Sequence, residues 1–354
     1  MKKIGLFVLI LTVLLACATN ERSPANTCAG FSPCILKNDI LILSDGDQAA
    51  GWQDAALTAR AAFYQYFGKD AAPVAIVPGG QIDETATQAL RAAGYRLHLP
   101  WLTDADKQAL QIGSIRQQIR SQTKDLPPAQ QNALIAQALQ QAGLLEDRPD
   151  PDKTKTQTAE ELGALTHELG HLWFIEAFEK EDFAGPVPAK RYGGWAPDWL
   201  DETAAILLEN DQLTLARRTQ FESLMKTDLY ALSTFLTMEH PSLQATAALE
   251  QRFGTQSDDG GSRAIVLTGK EAEEFQQLSA GGDPLLFYLQ VRAFTDFILA
   301  TTSDEQIFAG LTSFLQQGRS FEDWVADRPE FMSFSDLQCQ WDRWVASKLT
   351  RQIP

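Results

Sequence analysis

The sequence predicts an α+β protein in which a small mixed α/β lobe at the N-terminal end lies beside a mainly helical lobe. Between residues 38 and 102, short apolar runs alternate with amphipathic segments, a pattern typical of strands alternating with helices. From residue 158 to residue 349 the apolar residues recur at helical spacing instead. The 354 residues are enough for two lobes and a large core.

Three strands and two helices are predicted in the first lobe. Residues 39–44 (D-I-L-I-L-S) and 73–78 (P-V-A-I-V-P) are short apolar runs that favour buried strands. Residues 95–99 form a third strand. Residues 51–67 and 85–93 carry their apolar side chains on one side at helical spacing, and we expect them to pack against this sheet.

A helical insertion and a linker are predicted between the lobes, over residues 103–157. Residues 104–145 are rich in Gln and Ala, and Pro127-Pro128 interrupts their helical pattern. Residues 147–155 (D-R-P-D-P-D-K-T-K) are polar and contain proline, which favours a linker.

The second lobe, residues 158–349, is predicted to be helical throughout. Residues 213–240 indicate one or two amphipathic helices, and His240 is expected to end the last of them. Asp283 is placed to cap a helix whose first residue is Pro284.

The first residues indicate export. Residues 1–16 contain two lysines followed by an apolar run too short to span a bilayer comfortably, which predicts a signal segment. The sequence L-L-A-C ending at Cys17 resembles the lipobox of bacterial lipoproteins, in which the cysteine is lipidated; ordinary secretion is the alternative. Residues 17–37 are then a tether. We expect a lipid-anchored protein of the cell envelope. In an organism with two membranes, Ala18 favours the outer membrane, facing the periplasm.

Three cysteines remain if Cys17 is lipidated. An exported protein can form disulfides, and Cys28 with Cys34 is the favoured pair, which leaves Cys339 free. A bond from either of the first two to Cys339 is the alternative. No C-x-x-C pair exists, so cysteine ligation of a metal is not expected.

The acidic balance of the chain limits its partners. The formal net charge is −16, and no run of basic residues is present. Phosphate backbones and anionic membrane surfaces attract basic proteins, so neither nucleic acid nor direct binding to such a surface is expected. Contact with a membrane is expected through the lipid anchor only.

The sequence T-H-E-L-G-H at residues 166–171 predicts a metal site on a helix. His167 and His171 are four residues apart, so both rings lie on one face and can reach one ion. Glu168, between them, can address a water molecule on that ion. The helix is apolar nearly all round and therefore buried, and Gly170 within it suggests close approach by another backbone. Two hydrogen-bonded core histidines are the alternative interpretation.

A third ligand is expected from a second helix. Phe174 and Ala177 occupy the positions of Gly and His in the H-E-x-x-H-x-x-G-x-x-H pattern, which excludes that class of site. Downstream, W-A-P-D-W-L-D-E-T-A-A predicts a helix with Glu202 on the side opposite its leucines. Glu209 lies on the same side and is the main rival, whereas Asp201 is rotated by about 100°.

H-E-L-G-H followed by W-L-D-E-T-A-A resembles the gluzincin (peptidase-MA-like) metallopeptidases, the group of thermolysin and aminopeptidase N. The resemblance implies a zincin catalytic lobe with one zinc ion bound by His167, His171 and Glu202. It also implies a sheet whose edge strand, here within residues 95–100, can pair with an extended substrate. By the same resemblance Tyr288 stabilises the oxyanion of the tetrahedral intermediate, and a core tyrosine is the alternative. His240 could act there instead, although its favoured role is to end a helix.

These residues predict a zinc-dependent peptidase acting on peptides or proteins of the cell envelope. Glu168 would act as general base on a zinc-bound water and then protonate the leaving amine. Asp201 and Glu209 are expected to hydrogen bond to the ligand histidines. A zincin-fold lipoprotein that binds or assembles without catalysis is the alternative, and a zinc hydrolase of another amide or ester is a third possibility.

Overall fold

The structure, a computed structural model, describes residues 31–44, 46–79, 82–144, 158–178, 195–242 and 283–349. The predicted signal segment 1–16, Cys17, Cys28 and the predicted linker 147–155 lie outside the described residues. Among the helices that the structure describes, none combines the length and the apolar character needed to cross a lipid bilayer.

Two cysteines can be assigned. Cys34 is disulfide-bonded, and its partner lies outside the described residues. Cys339 is a free, exposed thiol, so the two ends of the chain are not joined through this residue.

A four-stranded mixed sheet organises the N-terminal lobe. The strands lie across the sheet in the order β1 (Ile35–Lys37), β2 (Ile40–Ile42), β3 (Val74–Pro78) and β4 (Leu97–Trp101). The first pair is antiparallel and the other two are parallel. Helices α1 (Asp47–Phe67) and α2 (Glu84–Ala92) connect the parallel strands, since parallel neighbours require a crossover. The three predicted strands and two predicted helices are confirmed, and β4 is an edge strand.

The first strand, β1, was not predicted. It lies within residues 17–37, which were expected to be a tether. Lys37 pairs with Ile40, so the hairpin loop consists of Asn38 and Asp39. Both have positive φ, 49° and 61°, as a two-residue loop of type I′ requires. A three-residue strand is too short to show an alternating pattern, and only the Asn-Asp pair itself indicated the turn.

Alternate residues of the sheet face two different cores. Ile40 and Ile42 join the main core, which also contains the helices of the second lobe. Leu41 faces the other way and packs in a smaller cluster with Leu90 and Tyr95. The two lobes therefore share one continuous core, which fixes the sheet relative to the second lobe.

Helix α1 makes the aromatic part of that shared core with α5 (Ala159–Phe178). The ring centroids of Phe63 and Trp173 are 6.0 Å apart, and those of Phe67 and Phe174 are 5.6 Å apart. Such tilted and edge-on pairs stabilise by about 0.5–1.5 kcal/mol beyond the burial of their area. They hold α5 against the N-terminal lobe.

The insertion forms a hairpin of two helices, α3 (Asp104–Gln122) and α4 (Pro128–Gln141), which confirms the predicted break at the two prolines. Thr103 and Asp106 form a capping box at the start of α3, and Pro128 is the first residue of α4. The hairpin has a small core of its own, made by Ile115, Ile135 and Leu139.

The second lobe is helical, so the α+β fold class is confirmed. Its helices follow α5 in this order: α6 (Asp198–Leu208), α7 (Asp211–Glu222), α8 (Leu232–Phe235), α9 (Pro284–Thr302), α10 (Ile307–Gln316), α11 (Phe321–Ala326) and α12 (Phe334–Leu349). Helix α9 begins at Pro284 as predicted, and the Asp283 side chain accepts a hydrogen bond from the Leu285 N–H. Helices α5 and α6 pack along each other, and α9 packs against α6 and α7.

The predicted helices over residues 213–240 are shorter than expected. Helix α7 ends at Glu222, a 3₁₀ turn spans Lys226–Asp228, and α8 has only four residues. The side chain of Gln290, on α9, accepts a hydrogen bond from the Tyr230 N–H and donates one to the Tyr230 carbonyl, both at 2.9 Å. A tertiary contact thus satisfies backbone groups that a continuous helix would have paired internally.

Gly170 allows α5 and α6 to approach closely. A Cβ atom on Gly170 would lie 2.6 Å from the Ala205 Cα and 3.0 Å from the Ala204 carbonyl oxygen. Because both atoms belong to the backbone, neither can move without displacing α6. The glycine therefore sets the separation of the two helices that carry the candidate metal ligands.

We expect Gly170→Ala to destabilise the protein by about 1–3 kcal/mol, because the overpacking outweighs the higher helix propensity of alanine. Gly113→Ala is the matched control, since Gly113 is helical and a Cβ atom there would meet no described residue outside its own helix within 4 Å. The control should be neutral or slightly stabilising in urea unfolding. Equal behaviour of the two variants would contradict the proposed role of Gly170.

Candidate metal centre

Helix α5 brings His167 and His171 together because they are one turn apart. Both rings are buried, and their Nε2 atoms are 3.2 Å from each other. The rest of the helix is held by apolar side chains on nearly every side, including Leu165, Leu169 and Phe174. The histidines therefore have little freedom to turn toward solvent.

Helix α6, which packs along α5, supplies the third group, Glu202. Its carboxylate is fully buried, with Oε2 3.5 Å from the His167 Nε2 and Oε1 3.7 Å from the His171 Nε2. Every residue of α6 is buried, so the helix can present a carboxylate here only by burying it. His167, His171 and Glu202 form a buried group that could bind a metal ion.

The outer nitrogen of each ring is held by a carboxylate. The His171 Nδ1 donates to the Asp201 Oδ2 at 2.7 Å, and the His167 Nδ1 donates to the Glu209 Oε1 at 2.9 Å. With the proton on Nδ1, each neutral ring directs the lone pair of Nε2 toward the other ring and toward Glu202. Glu209, the rival third ligand, thus lies behind His167, and Asp201 lies behind His171.

The hydrogen bonding of Glu202 fits a bound cation. Neither carboxylate oxygen has a hydrogen-bond partner among the described residues, although both are buried. An ionised carboxylate without partners is costly in such a place. Two Nε2 lone pairs facing each other at 3.2 Å are likewise unfavourable unless a proton or a metal ion lies between them. A divalent ion would satisfy all three groups at once.

The ligand spacings also fit a tetrahedral ion. Metal–nitrogen bonds of about 2.0–2.1 Å at tetrahedral angles hold two ring nitrogens about 3.3–3.4 Å apart. The observed separation of the two Nε2 atoms, 3.2 Å, is close to that value. The distances to Glu202 are slightly longer and lie within reach of a small side-chain adjustment.

The charges of the site interact strongly. Burial raises the pKa of Glu202 to about 7, although His167 and His171 act in the opposite direction. Burial lowers the pKa of His171, but Asp201, Glu202 and Glu168 outweigh that effect and raise it to about 9. Bound protons therefore take the place of the metal ion's positive charge when no ion is bound.

Two further predicted residues lie beside this group. Glu168 is half-buried on α5, and its negative charge contributes to the raised pKa of His171. Tyr288, on the first turns of α9, has its ring centroid 6.0 Å from that of His167 and 5.0 Å from that of His240. The fold thus gathers all the predicted residues of the metal site.

His240 corrects the sequence interpretation. It was expected to end a helix, but it lies beyond α8 and is fully buried, with its Nε2 3.3 Å from the Glu202 Oε1. The His240 N–H donates to the Asp198 Oδ2 at 2.6 Å, which ties this segment to the first turn of α6. Burial, with the two ligand histidines, lowers the pKa of His240 to about 4, so the ring is neutral at pH 7.

Sequence reasoning missed Arg217. Its guanidinium donates to both oxygens of Glu209, at 2.8 to 2.9 Å from Nε and 2.6 Å from Nη2. Burial raises the pKa of Glu209, but hydrogen bonds from His167 and Arg217 lower it below its ordinary value. No motif marks Arg217 or His240, because both reach the site through tertiary packing.

Neither the family models, nor the curated proteins, nor the solved structures compared with this chain include a match. The assignment of the site therefore rests on its own geometry.

Replacing Glu202 should change the stability of the protein and its metal affinity in opposite directions. We expect Glu202→Gln to abolish binding of a divalent ion and to raise the free energy of unfolding of the metal-free protein by about 1–3 kcal/mol at pH 8. The gain should be smaller at pH 5, because the pKa of Glu202 is raised from 4.5 to about 7 in the folded protein and the resulting loss of stability develops between those two pH values. Urea unfolding with a chelator present measures the stability change at both pH values, and metal titration measures the loss of binding.

Glu161→Gln is the matched control for that substitution. Glu161, on α5, is a buried carboxylate like Glu202, but it accepts hydrogen bonds from the Trp52 Nε1 and the Asp104 N–H. This variant should lose stability and keep its metal affinity. A stability loss in Glu202→Gln at pH 8 would show that the carboxylate is a structural group and not a ligand.

Proposed function

We propose that the protein is a zinc-dependent peptidase that hydrolyses peptide bonds in the cell envelope. The observation that carries the proposal is the convergence of two imidazole nitrogens and one carboxylate, with Glu168 next to them on the same helix. Two histidines and a glutamate suit zinc, and they leave one tetrahedral position open. When bound, zinc polarises the scissile carbonyl and makes water a stronger acid.

The residues around the site suit peptide hydrolysis. Glu168 accepts the proton of the attacking water and passes it to the leaving amine, a task for a carboxylate that is only half-buried. Asp201 and Glu209 hold the two imidazoles by their outer nitrogens, so that the inner nitrogens keep their direction during the reaction. Tyr288 donates its hydroxyl hydrogen to the developing oxyanion.

The sheet supplies a means of holding the substrate. β4 is an edge strand, and it contacts α5, the helix of His167 and His171. An extended peptide can add to such an edge through backbone hydrogen bonds, which suits a peptidase with broad sequence tolerance. The predicted signal segment and lipid anchor at Cys17 place this activity in the envelope, on the periplasmic side of the outer membrane.

The resemblance of the two motifs to the gluzincins supports the same function. It rests on H-E-L-G-H and W-L-D-E-T-A-A, whose His167, His171 and Glu202 are the residues that meet here. Metal analysis of the purified protein tests the zinc assignment, with one zinc ion per chain expected. Zinc without peptide hydrolysis would leave the non-catalytic lipoprotein and the zinc hydrolase of another amide or ester as the alternatives.

Glu168→Gln should lower the rate of peptide hydrolysis by about 10²–10⁴-fold and leave zinc content unchanged, because the amide cannot accept the proton. Glu176→Gln is the control on the same helix, since Glu176 pairs with Arg96 at 3.6 Å outside the metal group. Hydrolysis of a quenched fluorescent peptide library and metal analysis give the two readouts. Full activity in Glu168→Gln would overturn the mechanism.

Tyr288→Phe should lower kcat by about 10²–10³-fold, with KM and zinc affinity nearly unchanged, because the hydroxyl acts on the oxyanion and not on the ground state. The ring remains, so its packing against His167 and His240 is kept. A rise in KM at constant kcat would instead indicate a role in substrate binding.

A further inference from the structure

We propose that Arg217 is a positioning residue that links the metal ligand His167 to Tyr288. A single guanidinium on α7 contacts the carboxylate behind the ligand and the ring beside it. The metal part of this inference depends only on the metal site, and its Tyr288 part rests on the proposed function.

The first contact holds Glu209. Arg217 donates from Nε and Nη2 to the carboxylate of Glu209, whose Oε1 also accepts the hydrogen bond from the His167 Nδ1. Glu209 directly follows the last residue of α6, and its backbone there, with φ −59° and ψ 148°, is not helical. The helix does not fix its side chain, so the paired guanidinium bonds decide where Oε1 lies. The orientation of the His167 ring therefore depends on Arg217.

The second contact holds Tyr288. The guanidinium carbon of Arg217 lies 5.0 Å from the centroid of the Tyr288 ring, within the range of a cation–π interaction. Tyr288 in turn packs against the ring of His167. A planar guanidinium can form paired hydrogen bonds and stack on a ring at the same time, which the point charge of lysine cannot do.

The chain contains a matched control in the next residue. Arg218 lies on the same helix and also makes two parallel hydrogen bonds to one carboxylate, at 2.7 and 2.8 Å from Asp296. Asp296 belongs to α9 and is not part of the metal group. Loss of Arg218 therefore removes a paired guanidinium–carboxylate contact without touching Glu209 or Tyr288, although this pair is more exposed and Asp296 also pairs with Arg292.

The experiment compares Arg217→Met with Arg218→Met in the full chain, with zinc affinity measured by chelator competition. We expect Arg217→Met to weaken zinc binding by about 10–100-fold, the usual effect of losing a partner behind a ligand. Arg218→Met should keep the affinity of the unchanged protein within about twofold. Arg217→Lys should recover only part of the loss and also gives a second comparison if Arg217→Met does not fold.

A double-mutant cycle shows whether Arg217 acts through Glu209. Glu209→Ala combined with Arg217→Met should bind zinc about as weakly as Glu209→Ala alone, because the two residues act in series. Additive losses, or equal losses in Arg217→Met and Arg218→Met, would overturn the proposal and leave Arg217 as an ordinary ion pair.

The two proposals can fail separately. If the unchanged protein binds zinc with this coupling but cleaves no peptide, the peptidase assignment fails and the role of Arg217 behind His167 stands. If peptides are cleaved and Arg217→Met binds zinc normally, the positioning role fails alone. For an active enzyme, a fall in kcat beyond that caused by reduced zinc occupancy is expected from the contact with Tyr288, and an unchanged kcat at full occupancy would overturn that part.

Discussion

The buried contact of the Glu202 carboxylate with the ring nitrogens of His167 and His171 is the interaction on which the rest of the structure depends. It brings a carboxylate with no hydrogen-bond partner among the described residues into the contact between two apolar helices. Such an arrangement destabilises the metal-free fold, so the apolar packing around it has to hold the two helices together. The aromatic pairs between α1 and α5 and the close approach at Gly170 provide that packing.

Three sets of side chains surround the candidate metal site, and each set contacts one of the three candidate ligands. Asp201 holds His171, the pair of Glu209 and Arg217 holds His167, and His240 contacts Glu202. The supports come from α6, α7 and the segment after α8. Because each of the three groups has its own support, the candidate site is ordered without an ion, which would reduce the reorganisation that metal binding requires.

Much of the fold was predictable because its signals are local. The periodicity of the strands and helices, the two prolines at the start of α4 and the cap at Asp283 are confirmed by the structure. The failures share one cause, which is that tertiary contacts decide what short segments do. β1 is too short to carry a pattern, and the helices over residues 213–240 are cut short by the contact of Gln290 with Tyr230, a residue sixty positions away.

By itself the sequence determined that His167 and His171 face one way and that Glu168 lies between them, because helical spacing alone dictates these relations. It also limited the third ligand to the acidic residues in and just after α6. Only the tertiary structure decided that Glu202 meets the rings while Glu209 lies behind one of them, and that Arg217 and His240 join the site. These outcomes depend on how α5, α6, α7 and α9 pack, and packing between helices distant in the chain leaves no local pattern to read.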